Sequence, residues 1–192
     1  RDPLWSRGLG DVYKRQQYPD VEMTLSQDDS ETLVTQLRDG KIDAAFVRPP
    51  FAMDGGLRFL QLTEEPLMVA LPLGHALARR KRLAPADLAQ ERFIQYSRKS
   101  GYGLSADIMA ACRQHGLNPL PGQRAPQLSS AVNLVAAGMG VAIVPASLRH
   151  LRPDGVVYRP FALDWPRAVL GLAVREDTPG GRVANLLALA QG

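Results

Sequence analysis

One stretch constrains the fold more than any other: Ala125–Pro145, APQLSSAVNLVAAGMGVAIVP. It reads as a strand end, a short helix, a Gly-x-Gly turn and a strand stopped by proline. Ser129 can cap the helix, because its hydroxyl can accept a bond from an otherwise orphan N–H. Val132, Val135 and Ala136 form an apolar face at helical spacing. Gly138 stands where a helix C-terminus needs a left-handed residue. Val141–Val144 is short, continuous and rich in β-formers, as a strand covered on both faces requires. The segment is therefore one unit of an α/β fold.

The rest of the chain keeps that rhythm. Val21–Leu25 alternates and predicts a half-buried strand. Ser30 can cap a helix that carries Leu33, Val34 and Leu37 inward, and Gly40 ends it. Ile42–Val47 reads as a buried strand. Val21–Val47 is thus β-α-β, the connection expected in a parallel sheet. Leu57–Leu62 and Leu67–Leu71 predict two further strands. His75–Arg82 and Pro85–Leu88 read as short helices, and Phe93–Tyr96 as a strand. Leu104, Ile108, Met109 and Cys112 line one face of a helix ended by Gly116. Arg124–Gln127, the helix of the opening segment and Val141–Val144 give a second β-α-β set. Val156–Arg159 and Ala168–Val174 are the last strands. Thr178-Pro179 opens a final helix, with proline at the first helical position, and Val183, Leu186, Leu187 and Ala190 on its inner face.

The totals exclude several classes. With 192 residues, 45% hydrophobic and 22% charged, the chain is one domain or two small lobes. No apolar run approaches the ~18–20 residues that span a bilayer, and no secretory h-region is visible. The one cysteine, Cys112, forms no internal disulfide and no metal cluster, in keeping with a reducing compartment. Net charge is +4. The densest basic run, Arg79-Arg80-Lys81-Arg82, lacks a reading helix or aromatic platform and is better read as a solvated helix end.

Arg1–Gln16, RDPLWSRGLGDVYKRQ, has neither helical nor alternating period. Its GDVYKRQ resembles a translated adaptor or vector remnant, to be kept out of fold reasoning. The other reading is a native arm. Regular patterning begins at Gln17-Tyr18-Pro19-Asp20.

Several phrases, in order, carry a family resemblance: Tyr18-Pro19-Asp20-Val21, LRDGKIDAA at Leu37–Ala45, LMVALPLGH at Leu67–His75, LAQERFI at Leu88–Ile94, and Ala125–Pro145 continued by Ala146-Ser147. Over Gln17–Gly192 the chain resembles the effector-binding domain of LysR-type transcriptional regulators. The Arg48-Pro49-Pro50 turn and Ala125–Pro145 resemble the branch that responds to muconate, benzoate and related acids of aromatic catabolism. The resemblance implies two Rossmann-like α/β lobes joined by two crossover strands, like a type-II periplasmic binding protein. Lobe I would be 17–69 with 166–192 and lobe II 70–165, with crossings near Leu71-Pro72 and Leu163–Pro166. It implies that the first central strand of lobe I, the helix after it and the N-terminal helix-turn-helix are missing from this sequence. A truncated, less stable domain is the expectation, since neighbours of a lost central strand expose unpaired backbone.

The family binds a small molecule, often a carboxylate, between the lobes, where helix N-termini present N–H groups. Carried over, the ligand-binding candidates are Ser30, Arg48, Ser97, Tyr102, Gly103, Gln127 and Ser129. Arg48 could pair a carboxylate bidentately. Each has a plainer reading: Ser30 and Ser129 as N-caps, Arg48 as a surface residue before Pro49-Pro50, Tyr102 as a loop aromatic. Arg98 and Lys99 add positive potential nearby. The implied partners are a carboxylate effector, a second copy in a homodimer or homotetramer, and DNA through the missing domain. No membrane is involved, and the implied location is the cytoplasm.

Enzyme readings find less support. Gly101–Ala106 matches G-x-G-x-x-A between strand and helix, but no acidic residue follows Asp107 before Asp154, so the ribose-binding carboxylate is missing. There is no Walker A and no Gly-x-Ser-x-Gly elbow. His75, His115 and His150 lack metal-ligand spacing. Cys112 on an apolar face reads as core. No catalytic residue, metal or cofactor is therefore assigned. The rivals are a transport-type solute-binding protein and, behind it, an α/β enzyme.

Overall fold

The computed structural model describes residues 24–52, 55–96, 103–151 and 154–177, with 181, 183, 185, 186 and 188 near the C-terminus. Its spine is a 16-residue strand, β2, Leu57–Pro72. From Leu57 to Pro66 it runs antiparallel to the last strand, β7 (Arg167–Arg175). From Leu67 to Ala70 it pairs with β5 (Ala142–Pro145), and from Met68 to Pro72 with β6 (Val156–Pro160). One strand thus changes partners at Pro66/Leu67 and holds two halves together. Proline is tolerated there because the β7 ladder ends at it. Two separate strands, Leu57–Leu62 and Leu67–Leu71, were the expectation. The polar Thr63-Glu64-Glu65-Pro66 hides the continuity, because these residues stand between the two cores.

In the first half, β1 (Ala44–Val47) pairs with β7, Ala44 opposite Val174 and Val47 opposite Gly171. Gly171 is needed there: a Cβ would lie 2.3 Å from the Phe59 ring. Helix α1 (Ser30–Arg38) packs Val34 and Leu37 onto Ala45, Val47, Leu57 and Ala173. The β-α-β expected over Val21–Val47 falls within the described residues only from Thr24 on. β1 is antiparallel to its partner, and it alternates rather than being buried throughout, with Phe46 54% exposed. Val21–Met23 lie outside the described residues. Thr24 and Leu25 are not strand, and Leu25 is 78% exposed. Alternation makes a strand only where a neighbour completes the ladder, and among the described residues none pairs with Leu25 or with the second edge of β1.

The second half is built on β3 (Arg92–Tyr96), parallel to β4 (Leu120–Ala125), joined through α2 (Leu104–Gln114). Strand β4 starts four residues before the Arg124–Gln127 expected and overlaps it only at Arg124-Ala125, because pairing with β3 sets its place while its polar sequence LPGQRA carries no hydrophobic signal. Helix α2 buries Ile108, Ala111 and Cys112, with Leu104 packed at the margin of the same core, while Met109, expected on the same face, is only half-buried. Helix α3 (Leu128–Ala136) buries Ala131, Val132 and Val135. The Gly-x-Gly turn has two physical reasons. Gly138 has φ 75°, the left-handed helix end. Gly140 lets β5 approach β3, since a Cβ there would meet the Arg92 carbonyl at 2.4 Å. The Val141 N–H then donates to the Arg92 carbonyl at 2.9 Å.

Val183 is buried beside Leu172 and Val174, with Leu186 packed against them. Thr178, Pro179, Leu187 and Ala190 lie outside the described residues, as does Arg1–Gln16. Among the described residues no helix is long and apolar enough to cross a membrane.

Candidate functional site

The turn into α1 is built by Asp29 rather than Ser30. Asp29 is the N-cap, accepting from the Thr32 N–H at 2.9 Å and the Thr32 hydroxyl at 3.0 Å. A carboxylate satisfies the helix end better than a hydroxyl at the positive pole, so the cap lies one residue earlier than the sequence reading placed it. This releases the Ser30 Oγ, which accepts the backbone N–H of Arg48 at 3.1 Å. The α1 N-terminus is thereby tied to the end of β1.

Arg48 is partly buried, its side chain 16% exposed. Its guanidinium reaches the Val169 carbonyl and Glu65 Oε1, both at 3.4 Å. Both contacts are long for a charge-assisted bond, so the group is loosely held. Two residues on, the Pro50 carbonyl accepts the N–H of Gly103 at 3.0 Å. Gly103 is the N-cap residue of α2, with φ 81°. One peptide bond of the first half therefore docks on the helix N-terminus of the second. Ser30, Arg48 and Gly103 are brought together as the sequence suggested.

Gln127 and Ser129 are both exposed at the start of α3. Among the described residues no hydrogen bond links them to the Arg48 group. The cap position of α3 is Gln127, whose side chain makes no capping bond, and Ser129 lies inside the first turn, so the cap expected at Ser129 is not formed. Ser97 and Tyr102 lie outside the described residues.

Two polar residues at this seam escaped the sequence reading. Glu65 Oε2 accepts the Ser147 N–H at 2.6 Å, and Oε1 accepts the Ser147 hydroxyl at 3.0 Å. Oε1 is also the atom that faces Arg48. The one available signal was a carboxylate at the edge of the run Pro66–Pro72, where a charge is rarely left without a partner.

Cys112 is fully buried and burial pushes its thiol up to about 11, as for a core residue. His75 caps the turn Ala76–Arg79 through Nδ1 and reaches Glu91 with Nε2 at 3.2 Å. His115 stacks on Trp165 with ring centroids 4.9 Å apart. Among the described residues no cluster of three or more His, Cys, Asp or Glu could hold a metal.

Two α/β halves held together by one long strand that pairs antiparallel in both, with polar groups gathered where they meet, define the type-II periplasmic-binding-protein-like class. Sequence comparison gives the family: the LysR substrate binding domain matches residues 14–191. The chain belongs to that family. It is 35% identical to the HTH-type transcriptional regulator TtuA of Agrobacterium vitis, over 77% of this chain and 48% of that one. It is 31% identical to the transcriptional dual regulator OxyR of Escherichia coli K12, over 85% of this chain and 53% of that one. The chain thus spans about half the length of these curated relatives, which are regulators rather than enzymes. Among solved structures, the effector-binding domain of a BenM variant superposes with TM-score 0.79 at 27% identity, covering 94% of this chain and 83% of that one. The QuiR effector-binding domain in complex with shikimate has TM-score 0.81 at 20% identity, covering 98% and 88%, a likeness of fold.

Proposed function

We propose that this chain senses a small carboxylate bound where Ser30, Arg48 and Gly103 meet. The observation that carries the reading is Arg48: a guanidinium at the seam between the halves, part-buried and held by two long contacts. A loosely held, part-buried cation favours an incoming anion more than an exposed one does. The Gly103 end of α2 adds its dipole. Ser97, Tyr102, Gln127 and Ser129 complete the ligand set in this reading. The lobes would be 17–69 with 166–192, and 70–165. The BenM effector-binding domain has been solved with its effector benzoate, and this supports a carboxylate here. In the full-length regulator the ligand biases an oligomer that carries DNA-binding domains, in the cytoplasm. It can do so only by binding one arrangement more tightly than the other.

The test is a calorimetric titration with a panel of small aromatic and aliphatic carboxylates, benzoate included. Saturable binding that weakens by about 1–3 kcal/mol in Arg48→Ala is expected, the scale of a lost charged hydrogen bond. Binding of no panel member, or equal affinity in the variant, overturns the reading.

A further inference from the structure

The seam contains an anion of its own. Glu65 is the penultimate residue of β2 before the strand changes partners, pairing with Ala168 of β7. Its side chain is 13% exposed, so its charge needs partners. Ser147 provides two of them from the second half, just beyond β5: the N–H at 2.6 Å to Oε2 and the hydroxyl at 3.0 Å to Oε1. Arg48 provides the third, from the first half, at 3.4 Å to the same Oε1. One oxygen is shared between a hydroxyl of one half and a guanidinium of the other, and the hydroxyl has the shorter bond.

We propose that Ser147 sets how firmly Glu65 holds Arg48, and that an anion reaching Arg48 is therefore felt at the start of the turn after β5. Glu65 and Ser147 are positioning residues. While the Ser147 hydroxyl occupies Oε1, the carboxylate has less charge to offer Arg48, which stays available. Withdrawing the hydroxyl leaves Oε1 to Arg48 alone, and the pair tightens. Conversely, an anion that engages Arg48 leaves Oε1 to Ser147. The part concerning an incoming ligand rests on the carboxylate reading of Arg48; the coupling between Ser147 and Arg48 does not.

The experiment follows the Arg48 guanidinium N–H signals by NMR on the isotopically labelled chain, without ligand. Ser147→Ala is expected to slow their hydrogen exchange by about three- to tenfold, the scale of a stronger charge-assisted bond. Glu65→Gln is expected to speed it, and the double variant to match Glu65→Gln. Unchanged exchange in Ser147→Ala overturns the proposal, as does an effect of Ser147→Ala that persists with Gln at position 65. Should Glu65→Gln not fold, Ser147→Ala alone decides. A benzoate titration of the same signals separates the two readings. Slowed exchange in Ser147→Ala with no response to benzoate keeps the coupling and removes support from the carboxylate reading. A response to benzoate with unchanged exchange does the reverse.

Discussion

Ser30 Oγ accepts the backbone N–H of Arg48 at 3.1 Å, across 18 residues of sequence. The first residue of α1 thus fixes the residue that follows β1, and Asp29 is left to cap the helix. Replacement of each should act separately. Ser30→Ala orphans a partly buried N–H and is expected to destabilise the fold by about 1–2 kcal/mol. Asp29→Ala removes the cap at about 1 kcal/mol. Urea unfolding followed by circular dichroism measures both, and a neutral Ser30→Ala would show that the Arg48 N–H finds water instead.

The approach of β5 to β3 depends on Gly140. A Cβ there would lie 2.4 Å from the Arg92 carbonyl oxygen, a backbone atom that cannot turn aside. Gly140→Ala is expected to cost at least about 1–3 kcal/mol through overpacking. Gly138→Ala is expected to cost less, since nothing lies within 4 Å and only the φ of 75° is strained. Thermal melts of the two variants give the order, and the reverse order would contradict the close approach.

Cys112 makes a chemical prediction. A fully buried thiol raised to about 11 presents almost no thiolate near neutral pH. Alkylation by iodoacetamide at pH 8 should be slow in the native state and fast in urea. Rapid native labelling would mean that α2 opens readily from the β3 side.

Asp107, in the first turn of α2, has its carboxyl raised above the usual carboxylate range by desolvation. A folded-state pKa above the unfolded value contributes stability that is present at low pH and lost as pH rises through the folded value. At neutral pH the charge therefore opposes folding. Asp107→Asn is expected to melt higher than the parent at pH 7, with the difference shrinking as pH falls toward the ordinary Asp range. A constant difference across that range would place the effect elsewhere than in the proton.

Local structure was legible in the sequence wherever one short segment contained its own reason. Ile108 and Cys112 share a face through helical spacing alone, and the left-handed Gly138 follows from where α3 must end. The phrases around LMVALPLGH and Ala125–Pro145 identified the family because their order is a property of the chain. Relations between distant segments were another matter. That Leu57–Pro72 is one strand depends on β7 pairing with one stretch of it and β5 and β6 with another. That Asp29 caps α1 while Ser30 is diverted to Arg48 depends on where β1 ends in space. Glu65 and Ser147, 82 residues apart, meet because β2 changes sheets beside the end of β5. Hydrophobic period and capping chemistry act within a few residues, so the sequence by itself determined the inner faces of the helices, the glycine turns and the family. Strand pairing and the sharing of one carboxylate oxygen between two halves are settled by loop closure and packing across the whole chain, and those only the tertiary structure decided.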